Sequence, residues 1–316
     1  FDFVIHLAGL KSVSESIKNP VLYYETNVKG SINILNAMVV SGVKNLVFSS
    51  SASVYGNPTY LPVDESHQTK PINYYGCTKL IVEKELEVYR KKFGINFVSL
   101  RYFNAAGYDL NKRILDVEKS PANLIPIVME TMVGDRGCVE IYGGDYETPD
   151  GTCIRDYVHV TDISIAHLKS IEYIKKKEKS LIVNLSTGMG TSVKEVIERV
   201  GKNLQYSISD RRDGDPKELV ASNKKAFKNL KWVPRFSDIE TIIESMKQQS
   251  TKQAPTINQP SAYPLRIKHI SIEQIEDRTT KTGCKNYPSI SENWHKEVSS
   301  FLEMISQENA HRKRLP

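Results

Sequence analysis

The sequence predicts an α/β fold built on a doubly wound parallel sheet, with a smaller α/β domain beside it. Short apolar segments rich in β-branched residues alternate along the first half with amphipathic segments of helical period. Small or polar residues follow these apolar segments, as in Leu7-Ala8-Gly9 and Ser49-Ser50-Ser51. Strands that alternate with helices of roughly 15–20 residues form βαβ units, whose strands are parallel.

Each element is predicted from its own local signals. The strands are expected at Phe3–Leu7, Asn45–Ser49, Asn96–Arg101 and Leu181–Leu185. The helices are expected at Val21–Val40, Tyr75–Phe93, Asp162–Lys175, Ser192–Leu204 and Asp238–Gln248. Asn19-Pro20 is typical of a helix start, and Gly42 and Gly94 are typical of helix ends. The proline-containing stretch 57–73 is predicted to be a long loop.

The same pattern predicts the domain boundaries. The sheet domain is expected over 1–104, with the chain returning to it at about 154–187, and the second domain mainly over 105–247. The chain opens inside a strand and without a Met, so we expect the sheet to be truncated at its N-terminal side. Residues 248–316 are expected to be an appended, poorly ordered tail in which only 291–305 has helical periodicity. Its basic end, His311-Arg312-Lys313-Arg314, is interpreted as a solvated terminus rather than as a nuclear or membrane-surface address.

Composition excludes several classes of function. A net charge of +6 without a clustered basic patch argues against nucleic acid as a partner. Four cysteines stand far apart, which disfavours a disulfide framework or a zinc ribbon and is typical of a reducing cytosol. No apolar run approaches the ~18 residues that a membrane span needs. We therefore expect a cytoplasmic protein with no metal, nucleic-acid or membrane partner.

Tyr75 and Lys79 form a candidate acid/base pair. They lie four residues apart on a predicted helix, and therefore on the same face of it. A Lys ammonium can lower the pKa of a phenol from ~10 toward working pH. The spacing itself is common, because Tyr108…Lys112 and Tyr173…Lys177 share it, the latter within a charge cluster that is typical of a solvated face.

The predicted sheet edge distinguishes Tyr75 from the other two tyrosines. Ser49-Ser50-Ser51 lies at the carboxyl end of a predicted parallel strand, and ligands bind at that edge of open α/β sheets. Ala8-Gly9 ends the first strand at the same edge, where a cofactor can approach the backbone closely. Taken singly, a serine run indicates a turn and Ala-Gly a tight loop. Their coincidence at one edge favours a binding site.

Six segments resemble the extended short-chain dehydrogenase/reductase family, and within it the enzymes that epimerise UDP-hexoses at C4. They occur in the family's order over about residues 1–247: Ile5–Lys11, Val47–Gly56, Tyr75–Lys79, Leu100–Gly107, Asp150–Val160 and Arg211–Asp215. The resemblance implies an NAD-binding Rossmann-like domain followed by a UDP-hexose-binding domain. It also implies NAD-dependent interconversion of UDP-glucose and UDP-galactose through a 4-keto intermediate, as in galactose metabolism.

The resemblance also implies the roles of individual residues. Tyr75, Ser51 and Lys79 would be catalytic. The cofactor residues would be Leu7, Ala8, Gly9, Lys11, Asn27, Lys79 and Tyr102. The substrate residues would be Ser51, Tyr75, Asn104, Asn123, Leu124, Tyr142, Arg155, Arg212, Asp215 and Leu219. Without the resemblance, Arg212-Asp213-Gly214-Asp215 would be interpreted as a charged surface turn.

Further expectations follow from comparison within the family. Related dehydratases carry an Asp-Glu pair before Val-Tyr-Gly, whereas Ser51-Ala52-Ser53 supplies no carboxylate, which favours epimerisation. Leu219 aligns with the position that walls the C2 side of the sugar and is expected to exclude N-acetylhexosamines. A homodimer through helices at about 21–41 and 76–93 is implied. The alternative is a non-catalytic fragment or sugar-nucleotide-binding protein, because the Gly-rich pyrophosphate turn is absent from the sequence.

Overall fold

The structure, a computed structural model, describes residues 1–114, 121–212 and 214–250. The strands are β1 Val4–His6, β2 Asn45–Ser51, β3 Asn96–Tyr102, β4 Asn104–Ala106, β5 Val139–Tyr142, β6 Ile154–Arg155, β7 Tyr157–His159, β8 Leu181–Leu185, β9 Thr191–Ser192, β10 Tyr206–Ser209 and β11 Glu218–Leu219. The α-helices are α1 Val13–Lys18, α2 Pro20–Tyr23, α3 Gly30–Ser41, α4 Tyr74–Phe93, α5 Leu124–Val133, α6 Val160–Lys177, α7 Val193–Val200, α8 Lys224–Leu230 and α9 Ile239–Ser250.

The central sheet has four parallel strands in the order β1-β2-β3-β8. Both of its faces are covered by helices. Successive side chains of a strand point to opposite faces, so neighbouring residues of β2 contact different helices. Leu46 and Phe48 of β2 pack with residues of α3 and α4. Val47, between them, packs instead with residues of α6 and α8. The predicted doubly wound parallel sheet is therefore confirmed.

A second hydrophobic core lies in the later part of the chain. It joins α5, α7 and α9 to β5, with buried residues Ile125, Val128, Met129, Val139, Ile141, Val196, Ile197, Val200, Ile242, Ile243 and Met246. β5 pairs in parallel with β10. The predicted domain boundary at 104/105 remains a prediction.

Two small sheets connect these regions. β6 pairs in parallel with β11 and antiparallel with β9. β4 pairs in parallel with β7, which directly follows β6 in the chain. Each pairing is only two or three residues long, yet together they bring Asn104, Arg155 and Leu219 toward the end of the central sheet.

Several elements differ from the sequence prediction. The helix expected over 21–40 contains a π-helical segment, Tyr24–Lys29, between α2 and α3. The helix expected over 192–204 ends at Val200, because Gly201 is extended with φ −170°. Gly42 and Gly94 end α3 and α4 as predicted, in the left-handed conformation at φ 72° and 69°.

Some predictions lie outside the described residues. These are the conformation of the tail from residue 251 onward, including its helical segment at 291–305 and its basic end, and the position of Asp213. Within the part of the chain that the structure describes, no helix is both long and apolar enough to cross a membrane.

Candidate active site

The carboxyl ends of β1, β2 and β3 meet at one edge of the central sheet. In the register of β2 and β3, Ser49 lies opposite Leu100 and Ser51 opposite Tyr102. A 3-10 turn, Ala52–Val54, follows Ser51, whose hydroxyl accepts a hydrogen bond from the Ser53 N–H. The edge predicted from the serine run is therefore formed as expected.

Helix α4 delivers Tyr75 to this edge. Asn73 caps the helix by accepting a hydrogen bond from the Gly76 N–H at 2.8 Å. The Tyr75 N–H donates to Ser16 Oγ at 3.0 Å. The first turn of the helix is pressed against the chain after Ser51, because a Cβ added at Gly76 would lie 2.3 Å from the Ser53 carbonyl oxygen.

The Tyr75 hydroxyl lies beside Ser51 in a protected environment. Burial raises the pKa of Tyr75, and a hydrogen bond with the Ser51 side chain acts in the opposite direction. The sequence led us to expect the Lys79 ammonium to lower the pKa of this phenol. In the structure the ammonium lies 5.8 Å from the centre of the Tyr75 ring and is bound elsewhere, so burial dominates.

Lys79 is a buried cation one turn further along α4. Its ammonium donates a hydrogen bond to the Ser49 carbonyl at 2.9 Å and lies 5.1 Å from the centre of the Phe48 ring. Burial lowers the pKa of Lys79 to about 8, and the negative charge of Glu83 acts in the opposite direction. The helix therefore ties its cation to the end of β2.

The turn that follows β1 passes close to Asn27 and Lys79. A Cβ added at Gly9 would lie 3.0 Å from Asn27 Oδ1 and 3.7 Å from Lys79 Nζ, and the φ of Gly9 is +152°. The Asn27 amide accepts from the Leu10 N–H at 2.7 Å and donates to the Leu10 carbonyl at 2.9 Å. Asn27 thus holds the turn in place, and Leu7, Ala8, Gly9 and Lys11 are exposed around it.

The predicted cofactor residue Tyr102 is fixed from two sides. Its hydroxyl lies 2.5 Å from Ser49 Oγ and 3.1 Å from Nε2 of the buried His167. The other ring nitrogen of His167 lies 2.9 Å from the Ile163 carbonyl, within α6. Burial raises the pKa of the Tyr102 phenol, which remains neutral.

The predicted substrate residues form a second group. Arg155 is buried and pairs with Asp215 through a salt bridge. The register of β6 and β11 places Leu219 opposite Arg155. The exposed Arg212 lies over the Tyr142 ring at 3.7 Å, and the Tyr142 hydroxyl donates to Glu140.

The remaining predicted substrate residues are placed by their elements. Asn104 is exposed at the start of β4, and its N–H donates to the Asp156 carbonyl at 2.8 Å. Asn123 is the exposed residue before α5, and its side chain does not cap that helix. Leu124 begins α5 and packs on the second core. Neither of these two contacts the catalytic group through a hydrogen bond among the described residues.

Two contacts join the segments that carry the predicted substrate residues to the segments that carry Ser51 and Tyr75. A Cβ added at Gly214 would lie 3.4 Å from the Ile72 carbonyl and 3.7 Å from Asn73 Cβ, so Gly214 lies at the start of α4. Leu219 packs in one hydrophobic cluster with Ala52, Tyr55 and Phe103. The structure thus brings Leu219, with Arg155 opposite it, to the end of the sheet at which Ser51 lies.

The other two Tyr–Lys pairs of the sequence lack the surroundings of Tyr75 and Lys79. Lys112 has a φ of 54° and follows a turn, so Tyr108 and Lys112 do not share a helix. Tyr173 packs on the sheet core, and Lys177 is exposed at the end of α6.

The sequence analysis missed a buried charged pair next to the site. Glu83 of α4 and Arg101 of β3 are 3% and 5% exposed and form a salt bridge. A signal was available, since Arg101 is the charged residue of β3 and a buried Arg requires an anionic partner.

Comparisons with known proteins find similar sequences and structures. The sequence model of the NAD dependent epimerase/dehydratase family matches residues 1–186. The UDP-glucose 4-epimerase of Halalkalibacterium halodurans is 45% identical over 247 residues, which are 77% of this chain and 74% of that protein.

Two solved structures are similar to this one. UDP-glucose 4-epimerase from Brucella ovis in complex with NAD superposes with a TM-score of 0.76 at 40% identity, covering 79% of this chain and 78% of that one. UDP-glucose 4-epimerase from Bifidobacterium longum in complex with NAD+ and UDP gives 0.75 at 40% identity, with 79% and 76% covered. These matches confirm the resemblance that the six segments indicate.

Proposed function

The chain belongs to the NAD dependent epimerase/dehydratase family, and we propose on that premise that it interconverts UDP-glucose and UDP-galactose by epimerisation at C4. The observation that carries the proposal is the cluster of Ser51, Tyr75 and Lys79 at the carboxyl edge of the sheet. Curated relatives of 37–45% identity are UDP-glucose 4-epimerases.

The residues at the end of β1 fit NAD as cofactor. A side chain at Gly9 would press on Asn27 Oδ1, so the turn presents bare backbone beside the Lys79 ammonium, which a cofactor can approach closely. Leu7, Ala8, Gly9, Lys11, Lys79 and Tyr102 would hold the cofactor, and Asn27 would fix the turn that carries them. When bound, NAD supplies the acceptor and donor of the C4 hydride and a positively charged nicotinamide ring.

Tyr75 would act as the acid/base group. Its phenolate accepts the proton of the sugar 4-hydroxyl while the Ser51 hydroxyl donates a hydrogen bond to the same oxygen. Burial alone favours the neutral phenol, so the positive charge of the bound nicotinamide would add to that of the Lys79 ammonium, 5.8 Å from the ring centre, in favouring the phenolate. After the 4-keto sugar has turned, so that the opposite face of C4 is presented for reduction, Tyr75 would return the proton to the C4 oxygen.

The nucleotide must be held firmly while the sugar turns, so binding energy has to come from the UDP part. Arg155 and Arg212 are the cations of the substrate group, and a guanidinium binds a diphosphate through two hydrogen bonds. Asp215 orients Arg155 through its salt bridge. Tyr142 offers a ring face for stacking, which Arg212 covers in the structure.

The chemistry at positions 51–53 favours epimerisation over dehydration. A sugar-nucleotide 4,6-dehydratase needs further acidic groups, which abstract the proton at C5 and protonate the hydroxyl that leaves. Ser51, Ala52 and Ser53 provide none, and Ala52 is buried in a hydrophobic cluster.

The test is incubation of the protein with NAD and UDP-galactose, followed by separation of UDP-glucose from UDP-galactose. Formation of UDP-glucose that is lost in the Tyr75→Phe variant supports the proposal. Binding of UDP without conversion would instead support the non-catalytic alternative.

We further propose a cytoplasmic homodimer that acts in galactose metabolism. Cys77, Cys138 and Cys153 are free thiols, as is typical of a reducing compartment. Apolar side chains are exposed on the helices expected at the dimer interface, including Val21, Val40 and Val88.

A further inference from the structure

A buried ion pair links helix α4 to strand β3. Arg101 donates from Nε to Glu83 Oε1 at 3.0 Å and from Nη2 to Glu83 Oε2 at 2.6 Å. Ser99 also donates to Glu83 Oε1, at 2.9 Å. The bidentate arrangement fixes the direction as well as the distance between the two elements.

The pair extends into a chain of hydrogen bonds through the core. The third guanidinium nitrogen of Arg101, Nη1, donates to the Tyr55 hydroxyl at 2.9 Å. Tyr55 donates to Asn184 Oδ1 of β8 at 2.6 Å. The Asn184 N–H in turn donates to Glu65 in the 57–73 loop at 2.7 Å.

Each member lies close in the chain to a residue of the reaction centre. Glu83 follows Lys79 by one helical turn, so both lie on the same face of α4. Arg101 immediately precedes Tyr102, and Tyr55 follows the 3-10 turn that begins at Ser51. The three segments that carry Lys79, Ser51 and Tyr102 therefore meet in one network.

A role in stability alone explains this network poorly. Two charges removed from water gain little over apolar residues of the same size, so a buried ion pair is a weak stabilising device. A bidentate pair does, however, specify geometry. The epimerase chemistry needs three groups from different segments held in one arrangement.

We propose that Glu83, Arg101 and Tyr55 are positioning residues that hold Lys79, Ser51 and Tyr102 in register and keep a carboxylate near the Lys79 ammonium. The proposal rests on the proposed function. It adds three residues that contact neither substrate nor cofactor.

The first test is the pH profile of kcat in Glu83→Gln. The groups that face Lys79 are the His6 ring of β1, the Ser49 carbonyl and Phe48 ring of β2, and Tyr75 and Glu83 of α4. His6 is neutral near pH 7, because burial and Lys79 lower its pKa to about 4. In the wild type, activity should fall as the pH rises through about 8, where Lys79 loses its proton.

Removing the Glu83 carboxylate takes away the negative charge that raises the pKa of Lys79. The pKa of Lys79 then falls further, and the alkaline limb of the profile should move to lower pH. We expect kcat to fall about 10- to 100-fold, the range for small misplacements of reacting groups, with KM for UDP-galactose little changed.

Two more variants separate positioning from folding. Tyr55→Phe keeps every charge and removes the hydroxyl between Arg101 and Asn184, so kcat should fall while the alkaline limb stays in place. Glu83→Gln combined with Arg101→Met removes both charges of the ion pair, so it should regain thermal stability without regaining kcat. Glu87→Gln removes a surface pair with Arg90 on the same helix and should change nothing.

The outcomes are distinct. The proposal is overturned if folded Tyr55→Phe and the double variant keep wild-type kcat, or if the double variant regains stability and kcat together, whether or not Glu83→Gln folds. Absence of activity in the wild type would overturn the proposed function instead. In that case the network would have no reaction centre to position.

Discussion

Tyr75 is the residue on which the proposed chemistry depends. Its hydroxyl contacts Ser51, and burial raises the pKa of the phenol. Tyr75→Phe keeps the ring and removes the proton acceptor. We expect kcat to fall at least ~10²-fold, the range for a positioned acid/base group, while UDP affinity measured by calorimetry stays the same.

The matched control is Tyr108→Phe, which removes a phenol from one of the rival Tyr–Lys pairs. Tyr108 and Lys112 do not share a helix, so this variant should retain wild-type kcat. Near-wild-type kcat in Tyr75→Phe would remove Tyr75 from the mechanism.

Leu219 is the residue expected to set substrate size. It lies opposite Arg155 in the β6–β11 pairing and packs with Tyr55 and Phe103. The wild type should therefore turn over UDP-glucose and UDP-galactose and act weakly on UDP-N-acetylglucosamine. Leu219→Ala should relax this preference in kcat/KM, because the discrimination is steric.

A folding control is required for Leu219, which is 9% exposed. Truncation of a buried Leu to Ala costs about 2–5 kcal/mol, so urea unfolding should accompany the kinetics. Leu219→Met conserves volume and should keep both stability and preference. Equal kcat/KM for both sugar classes in the wild type would contradict the assignment.

At the scale of elements, the first turn of α4 is the most constrained part of the site. A Cβ at Gly76 would lie 2.3 Å from the Ser53 oxygen and 2.8 Å from the Ser53 carbon, both backbone atoms that cannot rotate away. Gly76→Ala should therefore push α4 from the chain after Ser51. We expect a loss of about 1–3 kcal/mol in unfolding free energy and a lower kcat.

Gly30→Ala provides the matched comparison in α3. The nearest atom to a Cβ there is the Glu25 carbonyl oxygen at 3.8 Å, so the site is open. Alanine in a helix is favoured over glycine by about 0.5–1 kcal/mol, so this variant should be slightly more stable in urea and fully active. Equal behaviour of the two variants would show that the α4 contact is not tight.

The long elements were predictable because their periodicity is repeated many times. The helix predicted from Tyr75 to Phe93 is observed as Tyr74–Phe93, and the strand predicted at Leu181–Leu185 is observed with the same bounds. β6, β9 and β11 have two residues each, too few to show any period. Their pairing is set by tertiary contacts that no local pattern contains.

Within the site, the meeting of the catalytic residues was predictable, whereas the contacts that support them were not. The segments that carry Ser51, Tyr75 and Lys79 follow long strands or begin a long helix, so their meeting point follows from βαβ geometry. The π-helical segment Tyr24–Lys29, which contains Asn27, was not predictable, because its residue types do not distinguish it from the α-helix on either side. The Glu83–Arg101 pair likewise joins residues of different elements.

At the scale of the whole molecule, the two sheet faces have different surroundings. On one face α3 and α4 lie side by side, tied by a hydrogen bond from the Tyr89 hydroxyl to Asn36 Oδ1 at 2.6 Å. Val40 and Val88, on these two helices, remain 50% and 46% exposed. Exposed apolar side chains on adjacent helices are suited to contact a second copy of the chain.

The proposed dimer can be tested on this helix pair with Val40→Glu combined with Val88→Glu. A two-fold interface uses each residue twice, so losing about 1.5 kcal/mol at each of the four Val side chains totals about 6 kcal/mol and should weaken the dimer ~10⁴-fold. Light scattering after size exclusion should then show a monomer where the wild type shows a dimer.

Leu168→Glu, a change at a 61% exposed Leu on α6, is the control and should leave the dimer intact. A monomeric wild type would contradict the homodimer, whereas a dimer that survives both Glu substitutions but not Leu168→Glu would place the interface on the α6 side of the sheet.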